Sequence, residues 1–417
     1  DQRVDVLIVG GGPAGLAAAL ELRRVGIARV VVAEREARLG GIPRHCVHTG
    51  FGWRDLRRLL SGPAYAARYV RMADAAGVDL RTETTVTYWE APTVLGTMSS
   101  NGPARVDARA VILATGCRER PRSARLVPGD RPAGVFTTGS LQQLVYLHKQ
   151  RIGTRAVVIG AEHVSYSAVL TLHHGGAKTL AMVTEHPAHQ TYLPFKLLSA
   201  TRLGVPLLTM TRLMGIRGRQ RVEAVDLVDC LNGRRFTIDC DTVVFTGDWI
   251  GDHELARRGG LKTDGGTRGP LIDSALRTEC RGVFAAGNLL HGAETADVAA
   301  LSGRHAARNV ARFLETDDWP QGFGPSLIAS PPIRWISPSA IAAVPPIAPP
   351  HGAFLLRVAE FASDAEVVVT QDGRPLWRQH YRRMVPNRPL RLSAAWVRQV
   401  DLRGGAIAVE LRHNQLA

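Results

Sequence analysis

Lysine is nearly missing from this chain. Four of its 52 basic residues are lysines (Lys149, Lys178, Lys196, Lys262), so the net charge of +15 rests on arginine scattered along the whole length. No block of like charge interleaves with aromatic residues, which argues against a nucleic-acid groove, and no nucleic-acid partner is expected. Cysteine is scarce as well. Cys46, Cys117, Cys230, Cys240 and Cys280 form no C-x-x-C pair and no zinc or iron–sulfur spacing, so no metal is expected. An odd, unpatterned set of thiols suits a reducing compartment. Long apolar runs are also lacking: the one long uncharged stretch, Ile336 to Leu356, carries five prolines and could not run as a membrane helix. With no signal peptide before the first strand, the expectation is a soluble, cytoplasmic protein with no transmembrane segment.

What is present describes an ordinary globular chain: 417 residues, 45% apolar and 21% charged, with room for two or three domains. The opening "VDVLIVGGGPAGLAAALELRRVG" reads as a buried strand, a glycine turn and a helix. "ARVVVAERE" supplies the next strand and completes a βαβ unit. Segment 54–77 reads as helix, followed by two alternating strand stretches. A second unit, "TRAVVIGAEHVSYSAVLTLHHGGAKTLAMVTE", repeats strand, turn, helix and strand from residue 154, and "DTVVFTGDW" at 241–249 supplies its closing strand. The pattern predicts an α/β protein with two Rossmann-like dinucleotide-binding domains and a small C-terminal β-sandwich. The expected bounds are 1–150 and 251–325 for the first domain, 151–250 for an inserted second, 326–351 for a proline-rich linker, and 352–417 for the sandwich. "QDGR" at 371–374 is a hairpin signal in that tail.

In the first turn Gly10 permits the tight bend, Gly12 lets the backbone approach a diphosphate, and Gly15 lets helix and strand pack closely. The helix N-terminus would face the diphosphate with free N–H groups and its positive dipole end. Glu34, ending the next strand, stands at the spacing of a carboxylate that holds a ribose hydroxyl.

"TECRGVFAAGNLLHGAETADVAALSG" and the turn Ala114-Thr115-Gly116 resemble the closing signatures of two-dinucleotide-domain FAD oxidoreductases of the pyridine nucleotide-disulfide type. "GGIPRHC", "ATGCRERPR", "PGDRPAGVFTTGSLQ" and "VIGAEHVSYSA" are similar to FAD-binding α subunits of multisubunit amino-acid, opine and hydrogen-cyanide-forming dehydrogenases, and more loosely to anaerobic glycerol-3-phosphate dehydrogenase. The resemblance covers about residues 4–315. It implies FAD as cofactor, held by Gly10, Gly12, Pro13, Ala14, Gly15, Glu34, Arg35, Gly41, Ile42, Arg44, Val86, Thr115, Gly116, Gly287, Asn288, Thr295 and Ala296. Asn288 departs from the pattern, which has aspartate on the ribityl chain.

Disulfide reductases of this type keep Gly-Gly-Thr-Cys, four residues, then Cys after the acidic residue. Aligned on Gly40-Gly41, their cysteines fall on Pro43 and His48, so disulfide chemistry is rejected. For His45, Cys46 and His48, the catalytic candidates, and for Arg44, three readings stay open: flavin or substrate contact, metal binding, or packing. The first and last are favoured, because these neighbours cannot supply a whole metal site. His291 has the same two favoured readings. His163, His173, His174, His186 and His189 read as structural or exposed.

The second turn runs Gly160-Ala161-Glu162-His163-Val164-Ser165. A nicotinamide-binding turn has glycine at 162 and usually at 165, and Glu162 would both fill the approach and repel phosphate. Glu185 stands where a 2′-phosphate ligand would. The second domain therefore reads as vestigial. The expected protein is the FAD-binding subunit of a dehydrogenase that oxidises a small-molecule substrate and passes electrons to a partner subunit or acceptor protein. A self-contained NAD(P)H-dependent flavin reductase and a non-catalytic FAD-bearing interaction protein are the rivals.

Overall fold

The computed structural model describes residues 2–193, 203–343 and 347–413. The chain forms two units, the first made of Asp1–Arg44, Thr49–Cys117 and Gly251–Ala417, the second of His45–His48 and Arg118–Ile250.

The first unit is built on β1 (Gln2–Val9), α1 (Pro13–Arg24) and β2 (Val30–Ala33). Val6 to Val9 are buried and pair in parallel with Val30–Ala33 on one side and Ala110–Leu113 on the other. A run buried on both faces needs no polar alternation, which is why the sequence here is continuously apolar. Asp79–Arg81 pairs with β2 and Val283–Ala285 with the strand Gly102–Leu113, both in parallel. Val94–Ser99 and Thr85–Ala91 extend the sheet antiparallel.

Pro13 fits the first turn of α1, where its missing N–H costs nothing, and Arg23 and Arg24 complement the negative C-terminal end. A long helix, Ala296–Thr316, packs on α1. Contact is close because Gly303 lacks a side chain; a Cβ there would lie 2.0 Å from the Ala14 carbonyl oxygen. Glu21 of α1 accepts hydrogen bonds from Arg308 at 2.7 Å and from Arg24 at 2.8 Å.

The tail of this unit is a two-sheet sandwich. One sheet orders Leu327–Ala329, Ile407–His413, Ala362–Gln371 and Arg374–Met384; the other orders Ile333–Ser337, Ala353–Val358 and Leu390–Ser393. Phe354 and Trp396 stack at 5.2 Å in its core. Asp372 (φ 50°) and Gly373 (φ 78°) form the two-residue turn that "QDGR" signals, since both central positions require positive φ.

Three features differ from the sequence reading, the first being that the second unit begins at Arg118 rather than at 151 and takes in His45–His48, with the strand Val135–Thr137 paired into its sheet. The helix expected over 54–77 is α2, Gly62–Ala75, and the residues before it form the hairpin Thr49–Phe51 with Leu60–Ser61. Pro63 in the first turn blocks continuation from upstream, and Ser61 caps the helix through the Ala64 N–H. The segment 326–351, read as a linker, contains two strands, with Ile333, Ile336 and Ile341 buried in the sandwich core. Ser274 anchors it, accepting from the Ala342 N–H and donating to the Ile347 carbonyl. Proline content hid apolar residues that are spaced for burial; positions 344–346 lie outside the described residues.

The second unit has a parallel sheet in the order Val135–Thr137, Thr242–Phe245, Arg155–Ile159, Lys178–Val183, Leu207–Leu208. Helices α3 (Thr138–Gln142) and α4 (His163–His174) follow the first and third of these strands, and Thr211–Arg217, Ala224–Asp229 and Arg235–Asp239 form a separate antiparallel sheet. Among the described residues no helix is long and apolar enough to cross a membrane.

The Glu21 link gives a pH dependence. Hydrogen bonding to Arg24 and Arg308, against the opposing effect of burial, holds the Glu21 carboxyl at about 2. A depressed pKa contributes stability above the ordinary carboxylate range and loses it as pH falls through the folded value. The melting-temperature gap between wild type and Glu21→Gln should be full at pH 6 and shrink progressively from about pH 4.5 toward pH 2. A gap independent of pH would contradict the link.

Candidate functional site

Gly10 leaves β1 at φ 111° and donates to the Ala33 carbonyl at 2.9 Å. A Cβ at Gly15 would sit 1.9 Å from the Gly10 oxygen, so strand end and helix start touch through bare backbone. Gly12 is the N-cap of α1, no side chain caps the helix, and a Cβ at Gly12 would meet nothing nearer than Gly41 Cα at 4.0 Å. That combination, an uncapped helix start behind an open glycine, fits a dinucleotide diphosphate. Glu34 is buried; its Oε2 accepts from the Gly11 N–H at 2.8 Å and its Oε1 from the Glu36 N–H at 2.9 Å. The carboxylate thus shapes the turn and retains a second lone pair on each oxygen for a ribose hydroxyl.

The other expected cofactor residues gather in the same unit. Arg44 is tied to Glu36 at 2.9 Å and to the Gly41 carbonyl at 3.3 Å, which fixes the loop carrying Gly41 and the exposed Ile42. Arg35 meets Asp252 at 3.3 Å, and Thr115 donates its hydroxyl to the Asp252 carbonyl at 2.7 Å beside Gly116. Val86 packs half-buried against the core. Gly287 donates to Ser302 Oγ at 3.0 Å. Asn288 accepts from the Glu294 N–H at 3.0 Å and donates to the Glu294 carbonyl at 3.1 Å. Asn288 therefore staples its own loop, leaving one amide N–H for a ligand. The Thr295 hydroxyl bonds Asp297, and Ala296 accepts from Tyr65 at 3.2 Å.

The sequence reading missed a buried polar cluster under the start of the long helix. Asp55 accepts from the Tyr65 and Tyr69 hydroxyls at 2.6 and 2.7 Å, Arg304 donates to Tyr69 at 3.0 Å, and the Arg54 N–H reaches Asp297 at 3.2 Å. Burial pushes both tyrosines well above their ordinary range, so they stay protonated donors. It also missed Arg357, which pairs with Glu294 at 2.6 Å and lies 5.4 Å over Trp335, on which His291 stacks. Burial and the Arg357 charge lower His291 to about 3, leaving it neutral. Tyrosines at 65 and 69 share a helix face, the one signal that could have exposed the first cluster.

In the second unit Glu162 occupies the position that Gly12 has in the first. Both are N-caps of the helix after the first strand, with nearly the same backbone: φ −81°, ψ −172° at Gly12 and φ −80°, ψ 178° at Glu162. The side chain changes everything else. Glu162 N donates to Ser165 Oγ at 3.0 Å, and that hydroxyl donates back to Glu162 Oε2 at 2.8 Å, closing the turn as a capping box does. Thr246 Oγ1 stands 3.0 Å from the same carboxylate oxygen, and a Cβ at Gly247 would lie 2.5 Å from Glu162 Oε1. Arg125 holds the facing turn by donating to the Thr246 and Gly247 carbonyls at 3.0 and 2.7 Å. Burial raises the Glu162 carboxyl, with Ser165, Thr246 and Arg125 acting the other way. Ionised or neutral, the group fills the space before the helix.

His45 and Cys46 are buried and His48 half-buried, all assigned to the second unit. Cys46 Sγ donates to Gln142 Oε1 at 3.4 Å, and Gln142 donates to Ser167 at 2.9 Å. Burial, helped by nearby Glu119, pushes the Cys46 thiol up to about 12. Glu119 itself is raised to about 7 by burial while accepting from the Gly139 N–H at 2.9 Å.

A family model described as pyridine nucleotide-disulphide oxidoreductase matches residues 4–303. One subunit of the opine oxidase of Agrobacterium tumefaciens is 30% identical over 335 residues, covering 73% of this chain and 64% of that protein. Ferredoxin–NADP reductase of Ignicoccus hospitalis is 25% identical, covering 76% of this chain and 99% of that one. Among solved structures, thioredoxin reductase of T. acidophilum shares the fold with a TM-score of 0.64 at 21% identity, covering 75% of this chain and 99% of its own.

A thiol that ionises only near pH 12 is a poor nucleophile at neutral pH. Iodoacetamide at pH 8 should modify exposed Cys230 in the native protein and spare Cys46, as read by peptide mass spectrometry. Stoichiometric early labelling of Cys46 would contradict its buried, protonated state.

Proposed function

The chain belongs to the pyridine nucleotide-disulphide oxidoreductase family and is an oxidoreductase of it, and on that premise we propose that it is the FAD-binding subunit of a substrate dehydrogenase. It would hold FAD at the first glycine turn and hand the substrate's electrons to a partner protein or another acceptor, not to NAD(P). The observation that carries this reading is the Glu162 carboxyl standing where a second dinucleotide's diphosphate would approach. The likeness to an opine oxidase subunit supports placing the chain in a multisubunit enzyme.

Bound FAD would supply hydride acceptance from a C–H bond beside nitrogen or oxygen. The chain supplies the rest. The N-terminus of α1 and the open Gly12 would take the diphosphate, with Glu34 on the ribose. Asn288 keeps one N–H that could reach the ribityl chain, and Thr115 and Arg35 both hold Asp252 in place. The tyrosine pair on Asp55 holds the base of the long helix and keeps its protons. With no second sulfur in the loop 39–48, electrons leave without a disulfide intermediate.

The likeness to a ferredoxin–NADP reductase, over 76% of this chain and 99% of that protein, favours a second reading, a single-chain enzyme reduced by NADPH. It requires a nucleotide to displace Glu162 from Ser165 and Thr246.

Two measurements test the proposal. The purified protein should carry FAD, and Gly12→Leu should lower its occupancy by at least about tenfold. Under anaerobic stopped flow, dithionite should bleach the wild-type flavin, while NADH and NADPH should not do so at ordinary enzymatic rates of about 1–1000 per second. Bleaching by NADPH in that range would replace the dehydrogenase reading with the single-chain reductase.

A further inference from the structure

The hairpin that joins Thr49–Phe51 to Leu60–Ser61 divides its side chains in two. Phe51, Leu56 and Leu60 pack on the core of the first unit, while Trp53 and Leu59 stand out of it, 66% and 65% exposed. Arg54, Arg57 and Arg58 are exposed next to them in the chain. The loop is pinned from beneath. The Leu56 and Arg58 N–H groups both donate to the Gly52 carbonyl at 3.1 Å. Asp55 is held by Tyr65 and Tyr69, Arg304 donates to the Asp55 carbonyl at 3.3 Å, and the Arg54 N–H reaches Asp297. Two large apolar side chains are thus presented in a fixed place instead of being folded away.

The charge of this face has one sign. From Phe51 to Arg71 the sequence holds Arg54, Arg57, Arg58, Arg68 and Arg71 against a single acid, Asp55, which is buried. On α2 the outward positions after the hairpin are Ala64, Ala67 and Arg71. Among the described residues no carboxylate pairs with Arg57, Arg58 or Arg71. Arg81 and Arg105 of the same unit do find one, in Asp79 and Glu90.

We propose that this face docks a protein partner whose surface is acidic around an apolar socket, with Trp53 and Leu59 as the anchors and Arg57 and Arg58 as the charges. Tryptophan and arginine dominate protein interfaces, and an anchor already fixed in place loses little freedom on binding. Opposite charge on the partner steers it to the face. A second copy of the chain does not fit, because across a two-fold axis the same arginines would face one another. A membrane surface does not fit either, since the outward side of α2 offers alanines where an interfacial helix carries large apolar groups. Nucleic-acid bases would need a row of aromatic rings, and Tyr65 and Tyr69 are buried on Asp55. The hairpin is also tied through Asp297 to Thr295, one of the residues expected to hold FAD. Naming the partner as the electron acceptor rests on the proposed dehydrogenase function; its docking does not.

The test puts a photoreactive benzoylphenylalanine at position 59 of the full chain, irradiates it in its native cells and sequences the crosslinked peptide. An acidic segment of one other protein is expected. That protein, once purified, should bind the FAD-loaded wild type saturably. It should bind at least tenfold more weakly to Trp53→Ala and to the double variant Arg57→Glu, Arg58→Glu, with FAD content and melting temperature unchanged. Replacing the acidic residues of the crosslinked segment by lysine should restore binding to the double variant. A crosslink to this chain itself, to lipid or to nucleic acid, no crosslink at all, or equal binding of the partner to wild type and double variant would each overturn the docking surface. If the complex forms with this dependence but the partner takes no electrons from the dithionite-reduced flavin, the surface stands and the electron-acceptor role falls.

Discussion

A helix begins with N–H groups that have no partner inside the helix, and something must meet them. This protein contains the same strand–turn–helix start twice, with matching backbone angles at the two N-caps, and meets the demand in two ways. At α1 the cap is glycine, no side chain intervenes, and the space in front is open. At α4 the cap is a glutamate that closes the turn with Ser165 and Thr246. One start is left open; the other is closed by a side chain of the chain itself.

Much else follows from that difference. The first turn can stay bare because Glu34, Glu36 and Arg44 brace it from behind, through the Gly11 N–H and the Gly41 carbonyl. The second is over-determined: Arg125 fixes the 246–247 turn against which the Glu162 carboxyl rests. The loop after Gly41, where disulfide reductases keep their reactive pair, ends in a thiol that burial and a neighbouring carboxylate hold protonated. Both features are polar groups held by partners of their own, Glu162 on Ser165 and Thr246 and Cys46 on Gln142.

The strands, the glycine turns and the tail hairpin were legible because each rests on local rules: continuous apolar runs, glycine where a Cβ would strike backbone, and Asp-Gly where positive φ is required. Glu162 was legible as an obstruction, whereas its contact with the Thr246 hydroxyl, 84 positions later, was not. Asp55 with Tyr65 and Tyr69 was hidden by reading 54–77 as one helix; only when the chain turns at Gly62 do the hydroxyls converge on the carboxylate. The segment 326–351 was misread because proline content reports backbone freedom, whereas Ile333, Ile336 and Ile341 report burial. Arg357 lies in the sandwich, far in sequence from the glycine motifs, so no spacing rule connects it to the loop 287–294.

In the proposed function only one of the two turns receives a dinucleotide. Its most direct test is a stoichiometry, measured by equilibrium dialysis of the purified chain with FAD and with NADPH under conditions that keep the flavin oxidised. The wild-type chain should bind one FAD and no saturable NADPH at millimolar concentration, with NADPH uptake appearing only in Glu162→Gly. One FAD together with one NADPH bound by the wild-type chain at micromolar concentration would contradict it.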